Sequence, residues 1–97
     1  MDKTTHVKRQ ATRHQIKLPV RFEQGTGVTR DISLAGIYFT TDRQLEAGQQ
    51  LEIFVKLSYA IPGKSLHLGC RGQVLRVENQ DHQYGVAAQF SDITYLH

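Results

Sequence analysis

Two short groups of residues in this chain have the side-chain types and spacing needed to bind a charged, hydrogen-bonding ligand. The first is Arg9-Gln-Ala-Thr-Arg13, in which two arginines are four positions apart. The second is Asp31-Ile-Ser33-Leu-Ala-Gly36. An arginine pair at this spacing arises easily by chance, whereas the second group requires three less frequent residues in a fixed register. The second group is therefore the more specific signal, and the presence of both strengthens each.

The side chains of these groups suit a ligand that carries both phosphate and guanine. The guanidinium of Arg9 or Arg13 can bind phosphate, or guanine O6 and N7, through two parallel hydrogen bonds, and it also stacks on flat bases. The carboxylate of Asp31 only accepts hydrogen bonds, so it can take the ring N–H and the amino group of guanine. Ser33 can donate or accept beside it, and Gly36 allows a positive-φ turn or a close backbone approach. These residues favour a guanine nucleotide over bare phosphate.

Some of these residues also have a purely structural interpretation. Asp31 and Ser33 are residue types that stabilise tight turns through side-chain hydrogen bonds to backbone amides. Three other basic residues, Lys8, Arg30 and Arg76, would add positive charge near a bound anion, but exposed basic side chains are more often simply solvated. We therefore treat the two motifs as the candidate ligand site and the three basic residues as secondary candidates.

Positive charge is concentrated near the N-terminus. Seven of the twelve Lys and Arg residues but only two of the nine Asp and Glu residues lie in residues 1–30, which gives this part a net charge of +5. Residues 1–15 are polar and have no apolar periodicity, so we predict a flexible basic arm there that carries the arginine pair. Residues 16–97 are predicted to form the folded domain. The asymmetry points to an anionic partner, or to a solvated charged tail.

Composition argues against several classes of protein. No apolar run approaches the length of a membrane helix, and the lone cysteine, Cys70, predicts a reducing compartment, for which the cytoplasm is the default. The sequence has no nucleophile elbow and no phosphate-cradling glycine loop with lysine. We therefore expect no enzyme activity, no cofactor and no metal site. The five histidines lack metal-ligand spacing: they are His6, His14, His67, His82 and His97.

Alternating apolar and polar residues predict a chain made of short strands. Turn residues separate these segments, and no helical period is sustained, which favours a small closed sheet. The predicted strands cover residues 16–22, 28–33, 37–41, 51–57, 66–77 and 84–90. Pro19 suggests an edge position or a bulge in the first strand, and Gly69 and Gly72 suggest a bend or bulge in the fifth. Residues 91–97 could begin a helix.

With these motifs and strands, the sequence resembles the PilZ domain family, which is characterised by the same two motifs in the same order. The resemblance covers nearly the whole chain: residues 18–22 look like the first strand of the family, and residues 72–77 and 84–90 look like its two closing strands. It implies a six-stranded antiparallel β-barrel and cyclic di-GMP as the ligand. Carried over by motif position, the residues that would bind the ligand are Arg9, Arg13, Asp31, Ser33 and Gly36.

Two functions of different class follow. In the first, this bacterial domain is a sensor whose arm folds over cyclic di-GMP, and another domain or a protein partner reads the changed surface. In the second, it is a small β-barrel interaction module that binds single-stranded nucleic acid or a protein and no nucleotide. Barrels that bind nucleic acid usually place aromatic residues among the basic ones. The arm has no aromatic residue before Arg21, which disfavours the second interpretation, and we expect no DNA partner.

Overall fold

The computed structural model describes residues 15–57 and 67–96, with the backbone alone for the last two of these. The described residues form six β-strands and no helix, so no helix there is long and apolar enough to cross a membrane. The strands are β1 (Pro19–Phe22), β2 (Gly25–Ile32), β3 (Gly36–Thr41), β4 (Gln50–Lys56), β5 (His67–Gln80) and β6 (Gln83–Leu96).

The six strands close into an antiparallel barrel with the order β1-β2-β3-β6-β5-β4. The short strand β1 completes the closure because it pairs with β2 on one side and with β4 on the other, where Val20 is opposite Val55. This architecture confirms the predicted all-β, six-stranded fold. Each strand of the barrel thus has two neighbours, although the end of β6 pairs with β5 alone.

The core of the barrel follows from the alternation of side chains along each strand. On β3, for example, Ile37 and Phe39 are completely buried while Tyr38 faces outward. The rings of Phe22 and Phe39 pack with centroids 5.6 Å apart. Cys70 lies in the same core, and burial raises the pKa of its thiol to about 11. The thiol is therefore protonated at neutral pH and is a poor nucleophile.

Three sequence-based expectations about individual strands have different outcomes. The irregularity expected near Gly72 is confirmed, because the register of β5 against β6 shifts between Arg71 and Gly72. The edge strand or bulge suggested by Pro19 is wrong for β1, since this strand pairs with both β2 and β4 without a shift in register, although Pro19 itself is opposite Val28 of β2 alone. Proline fits because it is the first residue of the strand. The helix suggested for residues 91–97 is also wrong, because β6 continues to Leu96 and pairs with the start of β5.

A buried threonine attaches the segment before β1 to the barrel. The Oγ1 of Thr29, which has no exposed surface, accepts a hydrogen bond from the backbone N–H of Leu18 at 2.8 Å and donates one to the carbonyl of Ile16. The backbone N–H of Thr29 also donates to the carbonyl of Leu18 at 2.9 Å. These bonds satisfy a buried hydroxyl and fix residues 16–18 beside β2.

Candidate functional site

A β-bulge in β2 determines where Asp31 points. Thr29 is opposite Phe39 and Asp31 is opposite Tyr38, so Arg30 is an extra residue with no counterpart on β3. Strict alternation would place Asp31 on the same inward face as the buried Thr29. The bulge instead brings Asp31 beside Tyr38 on the outer face of the barrel. Re-aiming a side chain in this way is a common role of bulges near functional sites.

The second motif forms the tight turn between β2 and β3. The Oγ of the buried Ser33 accepts hydrogen bonds from the backbone N–H groups of Ala35 at 3.1 Å and of Gly36 at 3.3 Å. The backbone N–H of Ser33 donates to the carbonyl of Gly36 at 2.9 Å. A Cβ at Gly36 would collide with the carbonyl oxygen of Ala88, so this position requires glycine. In this structure Ser33 shapes the turn, as the structural interpretation expected, and its hydroxyl proton is not used in these two bonds.

A groove of about 550 Å³ crosses the outer face of β3, β6 and β5. Asp31 and Gly36 line it from one side, and Leu75 and Arg76 line it from β5. Leu75 is the extra residue of another bulge, since Val74 pairs with Ala88 and Arg76 with Ala87. An adjoining cavity of about 380 Å³ shares Asp31 and Tyr38 with this groove, and its other lining residues are Gln15, Ile16, Lys17 and Arg30.

A hydrogen-bonded network lies in the groove. The hydroxyl of Tyr38 donates to Oε1 of Glu78 at 2.7 Å, and Nε of Arg76 donates to Oε2 of Glu78 at 2.9 Å. Gln80 Nε2 in turn donates to the Tyr38 hydroxyl at 2.8 Å. Burial, followed by the bond to Glu78, raises the pKa of Tyr38. The bonds from Tyr38 and then Arg76 lower the pKa of Glu78, so this carboxylate is ionised at neutral pH.

The position of the Tyr38 hydroxyl in this network depends on the absence of a side chain at Gly85. A Cβ at Gly85, on the neighbouring strand β6, would overlap the hydroxyl of Tyr38 and come within 2.7 Å of Gln80 Nε2.

We expect Gly85→Ala to lower the free energy of unfolding by about 1–3 kcal/mol through overpacking. In a Tyr38→Ala background the cost should be much smaller, because the main colliding group is gone. Urea unfolding of the four proteins measures this coupling, and an equal cost in both backgrounds would contradict it.

The structure brings together some of the predicted site residues and not others. Asp31, Gly36 and the secondary candidate Arg76 line the groove, whereas Arg30 lines the adjoining cavity. Ser33 lines neither of them, because it is buried in the turn between β2 and β3. The other three predicted residues, Lys8, Arg9 and Arg13, lie outside the described residues. Sequence reasoning missed Tyr38 and Glu78. The signal was weak but present: Tyr38 is two positions from Gly36, and Glu78 is two positions from Arg76, so each pair shares a face of its strand.

No group of three or more His, Cys, Asp or Glu residues within residues 15–57 and 67–96 is arranged to hold a metal ion. The chemistry that the groove offers is instead hydrogen bonding and charge pairing. Asp31 supplies an acceptor, Arg76 a planar cation, and small residues such as Ala87 leave the outer face of the sheet accessible to a flat ligand.

Fold and groove together define a small β-barrel domain with a ligand-sized groove on its outer face. The sequence matches the family model described as the PilZ domain over residues 7–95, so the chain belongs to the PilZ domain family. A comparison with curated proteins found no match.

Among solved structures, the fold is similar to that of the Bacillus subtilis inhibitor of motility MotI/DgrA, with a TM-score of 0.75 and 18% sequence identity. The similarity covers 89% of this chain and 44% of that one, so this chain spans less than half the length of that protein. At this level of identity the comparison shows a shared fold.

Proposed function

We propose that this domain binds cyclic di-GMP and passes the signal to another domain or a protein partner in the bacterial cytoplasm. The observation that carries the proposal is the position of the second motif, which lies beside the point where the N-terminal segment meets the barrel. Asp31 and Gly36 line the same groove, and Gln15, two residues after Arg13, lines the adjoining cavity together with Asp31. Membership of the PilZ domain family supports cyclic di-GMP as the ligand.

Covalent geometry supports the participation of the arginine pair. An extended chain spans at most about 3.6 Å per residue, so the Cα of Arg13 is within about 7 Å of that of Gln15 and the Cα of Arg9 within about 22 Å. The hydrogen bonds of Thr29 hold residues 16–18 beside β2, the strand that carries Asp31. Covalent geometry is therefore compatible with contact between either guanidinium and a ligand in the groove.

Asp31 supports the choice of guanine over adenine. Its carboxylate is placed on the outer face by the bulge, and it can accept hydrogen bonds from the ring N–H and amino group of guanine. Adenine does not offer this pair of donors on one edge. A ligand of two guanines and two phosphates therefore matches a site that combines one acceptor with several guanidinium groups.

Calorimetric titration tests the proposal. We expect cyclic di-GMP to bind with a Kd of about 1 μM or tighter, and GTP, GMP and cyclic di-AMP to bind far more weakly. Equal titration curves for cyclic di-GMP and cyclic di-AMP would contradict the guanine assignment. The absence of heat with every nucleotide would instead favour the interaction-module interpretation, in which the barrel binds a protein or single-stranded nucleic acid.

The relay rests on the N-terminal arm. We propose that the arm orders over the ligand, because residues 1–15 are too polar to fix themselves and two arginines meeting a dianion supply the missing stabilisation. Ordering of a segment creates a new surface for a partner without rearranging the barrel. Trypsin cleavage after Lys8, Arg9 and Arg13 should accordingly slow many-fold with saturating ligand, while cleavage after Lys56 stays unchanged. Equal cleavage of the arm with and without ligand would contradict this mechanism.

A further inference from the structure

The acidic residue Glu78 stands out because it lies in a groove for which an anionic ligand is proposed. Among the described residues that line the groove, Asp31 and Glu78 are acidic and Arg76 is basic, so their net charge is −1. Asp31 has a use as an acceptor for guanine. Both oxygens of Glu78 already accept hydrogen bonds from side chains of the barrel, and the negative charge of Glu78 repels that of the phosphates.

Both carboxylate oxygens of Glu78 accept a hydrogen bond in this position. Tyr38 donates to one of its oxygens and Arg76 to the other, at 2.7 and 2.9 Å. Gly85 leaves the space in which the hydroxyl of Tyr38 lies. The carboxylate of Glu78 thus accepts the hydrogen bond of the Arg76 Nε–H group. Its negative charge offsets the positive charge of Arg76, the basic residue among the described residues that line the groove.

We propose that Glu78 acts as an internal competitor for Arg76 and thereby sets the concentration of cyclic di-GMP at which the domain responds. This inference rests on the proposed function. A phosphate that enters the groove must share Arg76 with Glu78 or displace it, and part of the binding energy is used to separate the pair. In this way the two motifs would determine which ligand binds, and the pairing of Glu78 with Arg76 would lower the affinity for that ligand.

Replacement of Glu78 with glutamine tests the proposal, because glutamine keeps an oxygen for the Tyr38 hydroxyl but removes the charge. Exposed ion pairs have modest energies, so we expect Glu78→Gln to tighten cyclic di-GMP binding by about three- to fivefold at low salt, with a smaller gain at high salt. In an Arg76→Gln background the gain should disappear, because there is no cation left to release.

The matched control is Glu52→Gln. Glu52 forms a comparable exposed ion pair with Arg71 at 3.8 Å, and neither residue lines this groove. We expect the affinity of the Glu52→Gln variant for cyclic di-GMP to equal that of the wild type. Thermal unfolding of all variants checks that the barrel is intact.

Each outcome of the titrations has a distinct meaning. Unchanged or weaker binding by Glu78→Gln, with normal binding by the wild type, would overturn the competitor role and leave the proposed function standing. If Glu78→Gln still tightens binding of cyclic di-GMP in the Arg76→Gln background, Glu78 does not act by competing for Arg76. Binding by the Glu78→Gln variant alone would support the competitor role in its strongest form, and no binding by either protein would overturn both proposals.

Discussion

Replacing both Arg9 and Arg13 with alanine is expected to weaken cyclic di-GMP binding by about 100-fold or more. Each arginine should contribute about 1.5–3 kcal/mol, the scale of hydrogen bonds between a guanidinium and a phosphate. The two contributions are coupled through one ligand, so the double variant can lose less than their sum. Calorimetric titration of both single variants and of the double variant measures the effect.

The same substitutions should leave the barrel intact. The hydrophobic core of the described residues is made by apolar side chains of the strands and of the segments beside them. The thermal midpoint should therefore match that of the wild type. Arg43→Ala is a suitable control for the loss of a positive charge, because Arg43 lies on the surface away from the groove and pairs with Asp42 at 3.8 Å. If the double variant binds as the wild type does, the ligand site lies elsewhere.

The second large effect concerns the stability of the barrel that carries the site. Phe39 is the largest completely buried side chain among the described residues, and its neighbour Tyr38 reaches into the groove from the opposite face of β3. Phe39→Ala should lower the free energy of unfolding by about 3–5 kcal/mol, through lost burial and the cavity left behind. That is a large part of the roughly 5–15 kcal/mol that stabilises a domain of ordinary size. Urea unfolding measures the loss.

Phe54→Ala provides the comparison for this effect. Phe54 is a half-buried phenylalanine on the outer face of β4, where the guanidinium of Arg21 lies 5.0 Å from the centre of its ring. Its removal takes away an exposed cation–π contact and some surface burial but leaves no internal cavity, so we expect a cost of about 1 kcal/mol. Equal losses for the two variants would mean that burial in the barrel does not determine the stability.

The sequence predicted most of the fold because each strand keeps one face in the core. The alternation along β4, for example, has Leu51, Ile53 and Val55 as its buried residues. Alternation is a local property, and it says nothing about which strands pair at a distance. The length of β6 was missed for this reason, because residues 91–96 are strand only through their pairing with β5.

The site was predictable in its motifs but not in its geometry. The spacing of Asp31, Ser33 and Gly36 identified the turn between β2 and β3. The outward position of Asp31 depends on the bulge at Arg30, which no glycine or proline marks in the sequence. Glu78 was missed because the network that brings it to Tyr38 joins residues forty positions apart. Such contacts are consequences of the closed barrel.

The way in which β1 closes the barrel also bears on how the chain folds. Strands β5 and β6 are 14 residues each and are joined by the two-residue turn at Asp81 and His82, so they can pair early as a local hairpin. The four residues of β1 also pair with β4, where Val20 is opposite Val55. Closing the long stretch of chain between these two residues costs conformational entropy before their pairing can compensate for it. We therefore expect the pairing of β1 with β4, which closes the barrel, to form late in folding.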